Sequence, residues 1–259
     1  AGAAPAVSDL SACVAVAIMA KASVAGAVKT RLVPPLTPQE AAAFNTCCLA
    51  DIAANIAAAA ALAPIRGFAA YDPPGSERFF NDLLPDGFAL LPPGKPVAGY
   101  SGIGQSLYQA ARDLLAAGFG GVCLVNADSP TLPTAILAEA ARLLAQPGDR
   151  MVLGPAADGG YYLIGLKRLH ARLFRGIAWS TASVFAQTIA GAAGIGLEAV
   201  ALSEWYDVDD RASLALLGRE RLLGDGPYRG GFAAPRTTGF LRDLAARNPA
   251  LPPAWPQDE

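Results

Sequence analysis

Gly121-Val122-Cys123-Leu124-Val125-Asn126-Ala127-Asp128-Ser129-Pro130 is the stretch on which the fold turns. Its first five residues are apolar and rich in β-branched side chains. They follow a helix-like segment and the Gly118-Phe119-Gly120-Gly121 break, so they read as a buried parallel strand, apolar on both faces. Pro130 ends the strand and Pro133 opens the next helix. Asp128 is thereby delivered to the strand's C-terminal end, where open α/β sheets hold their ligands. A carboxylate there is either a turn or cap residue or a Mg²⁺ ligand, because Mg²⁺ is commonly held by one or two carboxylates plus substrate phosphates.

Composition removes several classes of function. The formal net charge of −2 leaves no basic field for nucleic acid. His170 is the only histidine, which excludes a three-histidine zinc site, and its Lys/Arg-rich surroundings read as solvated. Cys13, Cys47, Cys48 and Cys123 form no C-x-x-C pair and read as small buried hydrophobes in a reducing cytoplasm. Ala12–Met19 could pass for a secretion-signal core, but no Lys or Arg precedes it and Lys21 and Lys29 follow; a first strand is expected. The apolar segment around Ala53–Ala63 follows Asp51 and contains Asn55, so it reads as a core helix and no membrane span is expected.

Outward from Asp128, strands and helices alternate. Strands are expected near residues 12–19, 65–71, 88–91, 121–125, 151–153, 161–166 and 197–202. Helices are expected near 37–62, 76–84, 103–117, 133–145, 180–193, 211–223 and 239–247. Thr37-Pro38-Gln39-Glu40 carries a capping box with Pro at the first helical position. The alternation specifies an α/β fold, a three-layer α/β/α sandwich with a mostly parallel, Rossmann-like sheet. Residues 1–259 read as one domain, with a Gly/Pro-rich C-terminal extension at about 224–259.

Four clusters carry candidate chemistry. Lys29 and Arg31 lie in the first strand-to-helix loop; in an extended segment, residues two apart point the same way, toward a phosphate. Backbone N–H groups around Gly26 could form an anion nest beside them. There is no P-loop pattern. Asp158-Gly159-Gly160-Tyr161-Tyr162 is either a turn or a place for close backbone approach, with Asp158 accepting from a substrate hydroxyl. Trp179-Ser180-Thr181 reads as a helix start, with Ser180 capping the helix or with its hydroxyls and helix N-terminus facing an anion. In Asp207-Val208-Asp209-Asp210, Asp210 can cap the next helix while Asp207 or Asp209 completes a metal site with Asp128.

Taken together, these stretches resemble nucleotide-diphospho-sugar transferases of the GT-A fold. More narrowly, the chain is similar to the radical-SAM/selenodomain-associated transferase family, the arsenosugar-biosynthesis glycosyltransferases. The likeness is carried by Met19-Ala20-Lys21 with Gly26 through Leu32, by Asp128-Ser129-Pro130 with Leu132-Pro133, by Gly154-Pro155 and Asp158 through Leu166, and by Trp179-Ser180-Thr181 with Asp207-Val208-Asp209. The Lys29-Thr30-Arg31-Leu32 loop is also similar to that of phospholactate-type guanylyltransferases. The resemblance implies that Ala20, Lys21, Gly26, Lys29 and Arg31 hold a nucleotide. It implies that Asp128 binds Mg²⁺ or Mn²⁺ near Asp207 and Asp209, and that Asp158, Gly159, Gly160, Tyr161, Trp179, Ser180 and Thr181 meet the substrate. The family's acid-Arg pair is replaced here by Gln105-Ser106.

The expected function is metal-dependent transfer from a nucleotide-activated substrate to a small-molecule acceptor. A lone Asp128-x-Pro130 without D-x-D favours nucleotidyl transfer from a nucleoside triphosphate to a phosphorylated small molecule. Lys29, Arg31 and Asp128 would be the catalytic residues. Glycosyl transfer from a nucleotide sugar and a non-catalytic nucleotide-binding module are the alternatives. Self-association is left open.

Overall fold

A computed structural model describes residues 9–247 of the chain. Of the expected extension at 224–259, residues 248–259 lie outside the described residues. The strands are β1 (Val14–Lys21), β2 (Ile65–Asp72), β3 (Ala89–Leu91), β4 (Gly121–Val125), β5 (Arg150–Pro155), β6 (Tyr161–Leu166) and β7 (Glu198–Ala201). The helices are α1 (Pro38–Ala59), α2 (Glu77–Leu83), α3 (Gly102–Ala116), α4 (Thr134–Ala145), α5 (Val184–Ala193), α6 (Arg211–Gly218) and α7 (Pro235–Arg247).

The strands form one seven-stranded sheet in the order β3-β2-β1-β4-β6-β5-β7. Only β6 runs antiparallel to its neighbours, so the C-terminal ends of the other six open on one edge. Period-2 alternation divides the core between two faces. Val14, Val16 and Ile18 of β1 point to the side covered by α1, α4, α6 and α7, whereas Ala15 and Ala17 point to the side covered by α3 and α5. That is the expected three-layer α/β/α arrangement.

Helix α1 begins with the expected capping box: the Glu40 N–H donates to Thr37 Oγ1 at 3.2 Å and the Thr37 N–H to Glu40 Oε2 at 2.9 Å. Among the described residues α1 alone is long and apolar enough to cross a membrane, but 67% of its most apolar window is buried inside the fold. Its interior polar residues are in use. Asn55 Nδ2 donates to the Leu132 carbonyl at 2.6 Å, and its Oδ1 accepts from Thr134 Oγ1 at 2.6 Å, anchoring the loop that carries Asp128. Asp51, 1% exposed, accepts from the Arg236 and Thr237 N–H groups at 3.2 and 2.7 Å and so caps α7.

Several boundaries differ from the sequence expectation, among them the start of α7 at Pro235 instead of near Gly239 and the end of α1 at Ala59 instead of near Leu62. The helix expected from residue 180 starts at Val184, because Ser180 adopts a left-handed conformation (φ +63°) that no helix accommodates. Helix α6 stops at Gly218 and continues as a π-helical turn, Arg219–Leu223. Pro133 occupies the cap position of α4, one residue before the helix. The segment after Gly224 leans on the Asp128 loop through a bond from the Phe232 N–H to the Thr131 carbonyl at 2.9 Å.

Replacing Asp51 with alanine leaves the buried Thr237 N–H and the partly buried Arg236 N–H of α7 without their acceptor and should cost about 2 kcal/mol of stability. Urea unfolding measures this; an unchanged midpoint would remove Asp51 as the anchor of α7.

Candidate active site

Because β1 and β4 are parallel neighbours, their following loops leave the sheet side by side. Lys29 comes from the first loop and Asp128 from the second. The third contributor arrives along the edge of the sheet. After β7 the chain bonds to the end of β5, from the Trp205 N–H to the Pro155 carbonyl at 3.1 Å and from the Ala157 N–H to the Trp205 carbonyl at 2.9 Å. It then reaches the end of β4, where the Val208 N–H donates to the Asp128 carbonyl at 2.8 Å. This stitch carries Asp207 and Asp209 over the sheet edge, and Asp210 closes the segment by capping α6 in a capping box with Ser213.

The Lys29 ammonium lies where these loops meet. It contacts Asp128 Oδ1, donates to Asp209 Oδ1 at 2.9 Å and donates to the Val208 carbonyl at 2.6 Å. An ammonium has three N–H donors, and each has an acceptor here. Its side chain is 4% exposed. Burial alone would lower its affinity for the proton, but Asp128 and Asp209 outweigh burial and hold it above the ordinary lysine range. Arg31 pairs with Asp209 at 3.2 Å while its side chain stays 72% exposed, leaving most of its guanidinium free for an incoming anion.

Lys29 and Arg31 therefore converge as expected, but not through an extended segment. Lys29 is left-handed (φ +49°) and starts a 3-10 turn over Thr30–Leu32. A left-handed non-glycine residue is strained, and such strain gathers at functional sites. Gly26 is exposed, has a left-handed backbone (φ +76°) and lines none of the cavities described here. Lys21, with Nζ donating to the Ala27 carbonyl at 3.1 Å, instead braces the loop.

The third carboxylate behaves differently. Asp207 is half-buried and makes no ion pair among the described residues. Burial, then the charges of Asp158, Asp209 and Asp128, push its carboxyl up to about 7. Asp158 makes the turn that one of its two readings anticipated, accepting from the Gly160 N–H at 2.8 Å, and stays exposed. Gly159 is required there: a methyl on it would lie 2.2 Å from the Ala182 carbonyl oxygen. The same approach sets Asp158 against the Trp179–Ala182 loop. Within that loop, Thr181 Oγ1 donates to the Ala178 carbonyl at 2.7 Å and pairs with Ser183 Oγ at 2.8 Å. Ser180 is not a helix cap, and no side chain caps α5.

These groups border a cleft of about 830 Å³, whose lining also includes Tyr161, Trp179, Ile103 and Leu107. It shares Arg31, Asp128 and Asp209 with a pocket of about 260 Å³ around Lys29. A further pocket of about 500 Å³, lined by Ala20, Lys21, Tyr71 and Asp72, meets the cleft at Met19 and Ile103. Residues not singled out from sequence also serve the site: the Val208 carbonyl, and Asn45, whose Nδ2 donates to the Lys21 carbonyl and Ser23 Oγ at 3.1 and 2.8 Å. Asn45 is a polar residue on the buried face of α1, a signal that was available. Nothing in the sequence marks a backbone carbonyl.

The donor set fits a divalent cation that prefers oxygen. Asp128 and Asp209 already hold a buried cation between them, the ammonium, and Asp207 beside them lacks a counter-charge. Among the described residues no three carboxylates are drawn together around one point.

In metal-free buffer the raised Asp207 carboxyl should weaken the fold as pH rises. Its folded value lies above the unfolded aspartate value of about 3.9, so the penalty is absent below that value and complete above about 7. With a chelator present, Asp207→Asn should gain stability over the natural chain progressively from pH 4 to 7.5. Parallel stability curves would contradict the assignment.

The chain is similar to known proteins in sequence and shape. The family described as "Uncharacterized protein conserved in bacteria (DUF2064)" matches residues 55–181. A crystal structure from Desulfovibrio desulfuricans G20, of a protein assigned by inference as a nucleotide-diphospho-sugar transferase, superposes with TM-score 0.74 at 26% identity, covering 92% of this chain and 96% of that one. CMP:2-keto-3-deoxy-manno-octonic acid synthetase complexed with CTP shares the fold, with TM-score 0.51 at 11% identity over 80% of this chain and 99% of that one. No curated protein matches by sequence. The chain belongs to the GT-A-like nucleotide-diphospho-sugar transferase superfamily, a superfamily of transferase enzymes.

Proposed function

We propose that the chain is a divalent-metal-dependent transferase that carries out nucleotidyl transfer from a nucleoside triphosphate to a phosphorylated small molecule. The observation that supports this is the meeting of Lys29 and Arg31 with Asp128 and Asp209 at the C-terminal edge of the sheet. A polyphosphate needs cations that neutralise it and an ion that orients it, and both are offered within one side-chain length. The nucleoside is assigned to the pocket lined by Ala20 and Lys21, which joins the Lys29 pocket at Met19 and Lys21.

An oxygen of the acceptor phosphate forms the new bond to the α-phosphorus, and the bond to the bridging oxygen breaks, releasing pyrophosphate. Such chemistry needs in-line positioning and charge neutralisation more than a proton acceptor. Arg31, largely exposed, grips the departing pyrophosphate with its fork, and Lys29 adds a point charge. Asp128 and Asp209, with Asp207 alongside, would hold Mg²⁺ or Mn²⁺, which when bound neutralises phosphate oxygens and fixes their direction. Tyr161 and Trp179, with Asp158, Gly159, Gly160, Ser180 and Thr181, border the acceptor end. The reading treats residues 1–259 as one domain, with the segment after Gly224 bracing the Asp128 loop through Phe232. Four free cysteines accord with a reducing, cytoplasmic setting.

Glycosyl transfer from a nucleotide sugar is the second reading. It is favoured by the assignment of the Desulfovibrio protein and by the aromatic lining of the cleft, where Tyr161 and Trp179 meet edge-on at 6.4 Å and could receive a sugar ring. Radiolabelled nucleoside triphosphates and nucleotide sugars, offered with a panel of phosphorylated and neutral sugars, separate the two. Pyrophosphate release is expected; release of a nucleoside diphosphate would transfer the assignment to glycosyl transfer, and neither product would refute both. Asp128→Ala should lower turnover by at least about 100-fold while thermal unfolding stays cooperative, since loss of one group stabilising developing charge commonly costs that much. Undiminished turnover would discard the metal assignment.

A further inference from the structure

We infer that the Lys29 ammonium is the resident cation of the metal-free site, so that the site accepts a divalent cation already bound to polyphosphate and resists the free ion. The inference rests on the metal and phosphate assignments above and adds which form of the ligand enters.

Three observations carry it. The ammonium is saturated by Asp128, Asp209 and the Val208 carbonyl, and is almost completely buried. It is therefore no loose surface lysine that solvent could lift away. The backbone at Lys29 is left-handed, so the chain accepts strain to hold the ammonium there. Finally, the oxygens it occupies, Asp128 Oδ1 and Asp209 Oδ1, belong to the carboxylates assigned to the metal, while Asp207 beside them has no counter-ion.

A divalent ion and an ammonium cannot both be held by this carboxylate pair at contact distance without strong repulsion. A free ion must therefore expel Lys29, and the expelled ammonium, inside the protein, needs an acceptor to replace the three it loses. Among the described residues no further carboxylate contacts Lys29, and the carboxylates around it are the ones the ion would take. A polyphosphate in the adjoining pocket of about 260 Å³ supplies the missing acceptor: its oxygens receive the ammonium as its own metal ion takes over Asp128 and Asp209. Lys29 then passes from carboxylates to phosphate without being unpaired. By linkage, whatever phosphate adds to the affinity for the ion, the ion adds to the affinity for phosphate.

The test is Mn²⁺ binding, followed by electron paramagnetic resonance and calorimetry, on the full chain and on Lys29→Met, with and without inorganic tripolyphosphate. The natural chain should bind Mn²⁺ alone weakly and at least tenfold more tightly with tripolyphosphate. Lys29→Met, whose carboxylates have lost their ammonium, should bind Mn²⁺ alone at least tenfold more tightly than the natural chain and gain little from tripolyphosphate. Should Lys29→Met be unstable without metal, the comparison on the natural chain stands alone, and recovery of the variant's melting temperature by Mn²⁺ supports the same conclusion. Equal Mn²⁺ affinity in the two proteins, with no help from tripolyphosphate, overturns the inference while leaving the metal site in place. Absence of Mn²⁺ binding under every condition overturns both.

Discussion

The site depends on one ammonium held by three loops. Lys29 joins the loop after β1 to the loop after β4 through Asp128, and to the segment after β7 through Asp209 and the Val208 carbonyl. Without a cation there, two carboxylates would face each other at the sheet edge, and like charges at contact repel strongly in a poorly solvated setting. The sheet explains why these loops meet: six parallel strands deliver their C-terminal ends to one edge, and β1 and β4 are neighbours. The helices stabilise the delivery. Asn55 of α1 fastens the loop around Leu132, and Asp51 one turn earlier fastens α7.

Charge is then unevenly distributed along the cleft. Near Lys29 and Arg31 cations and acids nearly balance, whereas burial and the charges of Asp158, Asp209 and Asp128 push Asp207 up to about 7. Aromatic and aliphatic side chains line the same cleft. A ligand that suits this lining carries phosphate, a cation and an uncharged body. A nucleotide with its metal and a sugar-like or other compact acceptor have that combination.

Much of this architecture was legible in the sequence, for identifiable reasons. All seven strands announce themselves as short, mainly apolar runs, most of them bordered by glycine or proline, and Thr37-Pro38-Gln39-Glu40 marks the start of α1 to the residue. The reversal of β6 was not legible, because Tyr161–Leu166 is buried along almost all its length and such a run reads the same in either direction. Lys29 and Arg31 were found as a pair, but a left-handed lysine leaves no mark in sequence, so the extended geometry expected for them was wrong although the convergence was right. Asp207 and Asp209 were equivalent on spacing alone; the bond from the Val208 N–H to the Asp128 carbonyl turns Asp209 toward Lys29 and leaves Asp207 among other acids. Ser180 looked like a helix cap because serine before an apolar run usually is one, and its positive φ defeats that pattern.

The central claim is that phosphate, metal, Lys29 and Asp128 share one gap at the sheet edge. Anomalous diffraction from crystals grown with Mn²⁺ and an α,β-methylene nucleoside triphosphate tests it most directly. The account predicts a manganese peak between Asp128 and Asp209, with Lys29 Nζ moved onto a phosphate oxygen. Nucleotide bound with Lys29 still joined to Asp128 and Asp209, or manganese bound away from both carboxylates, would contradict it.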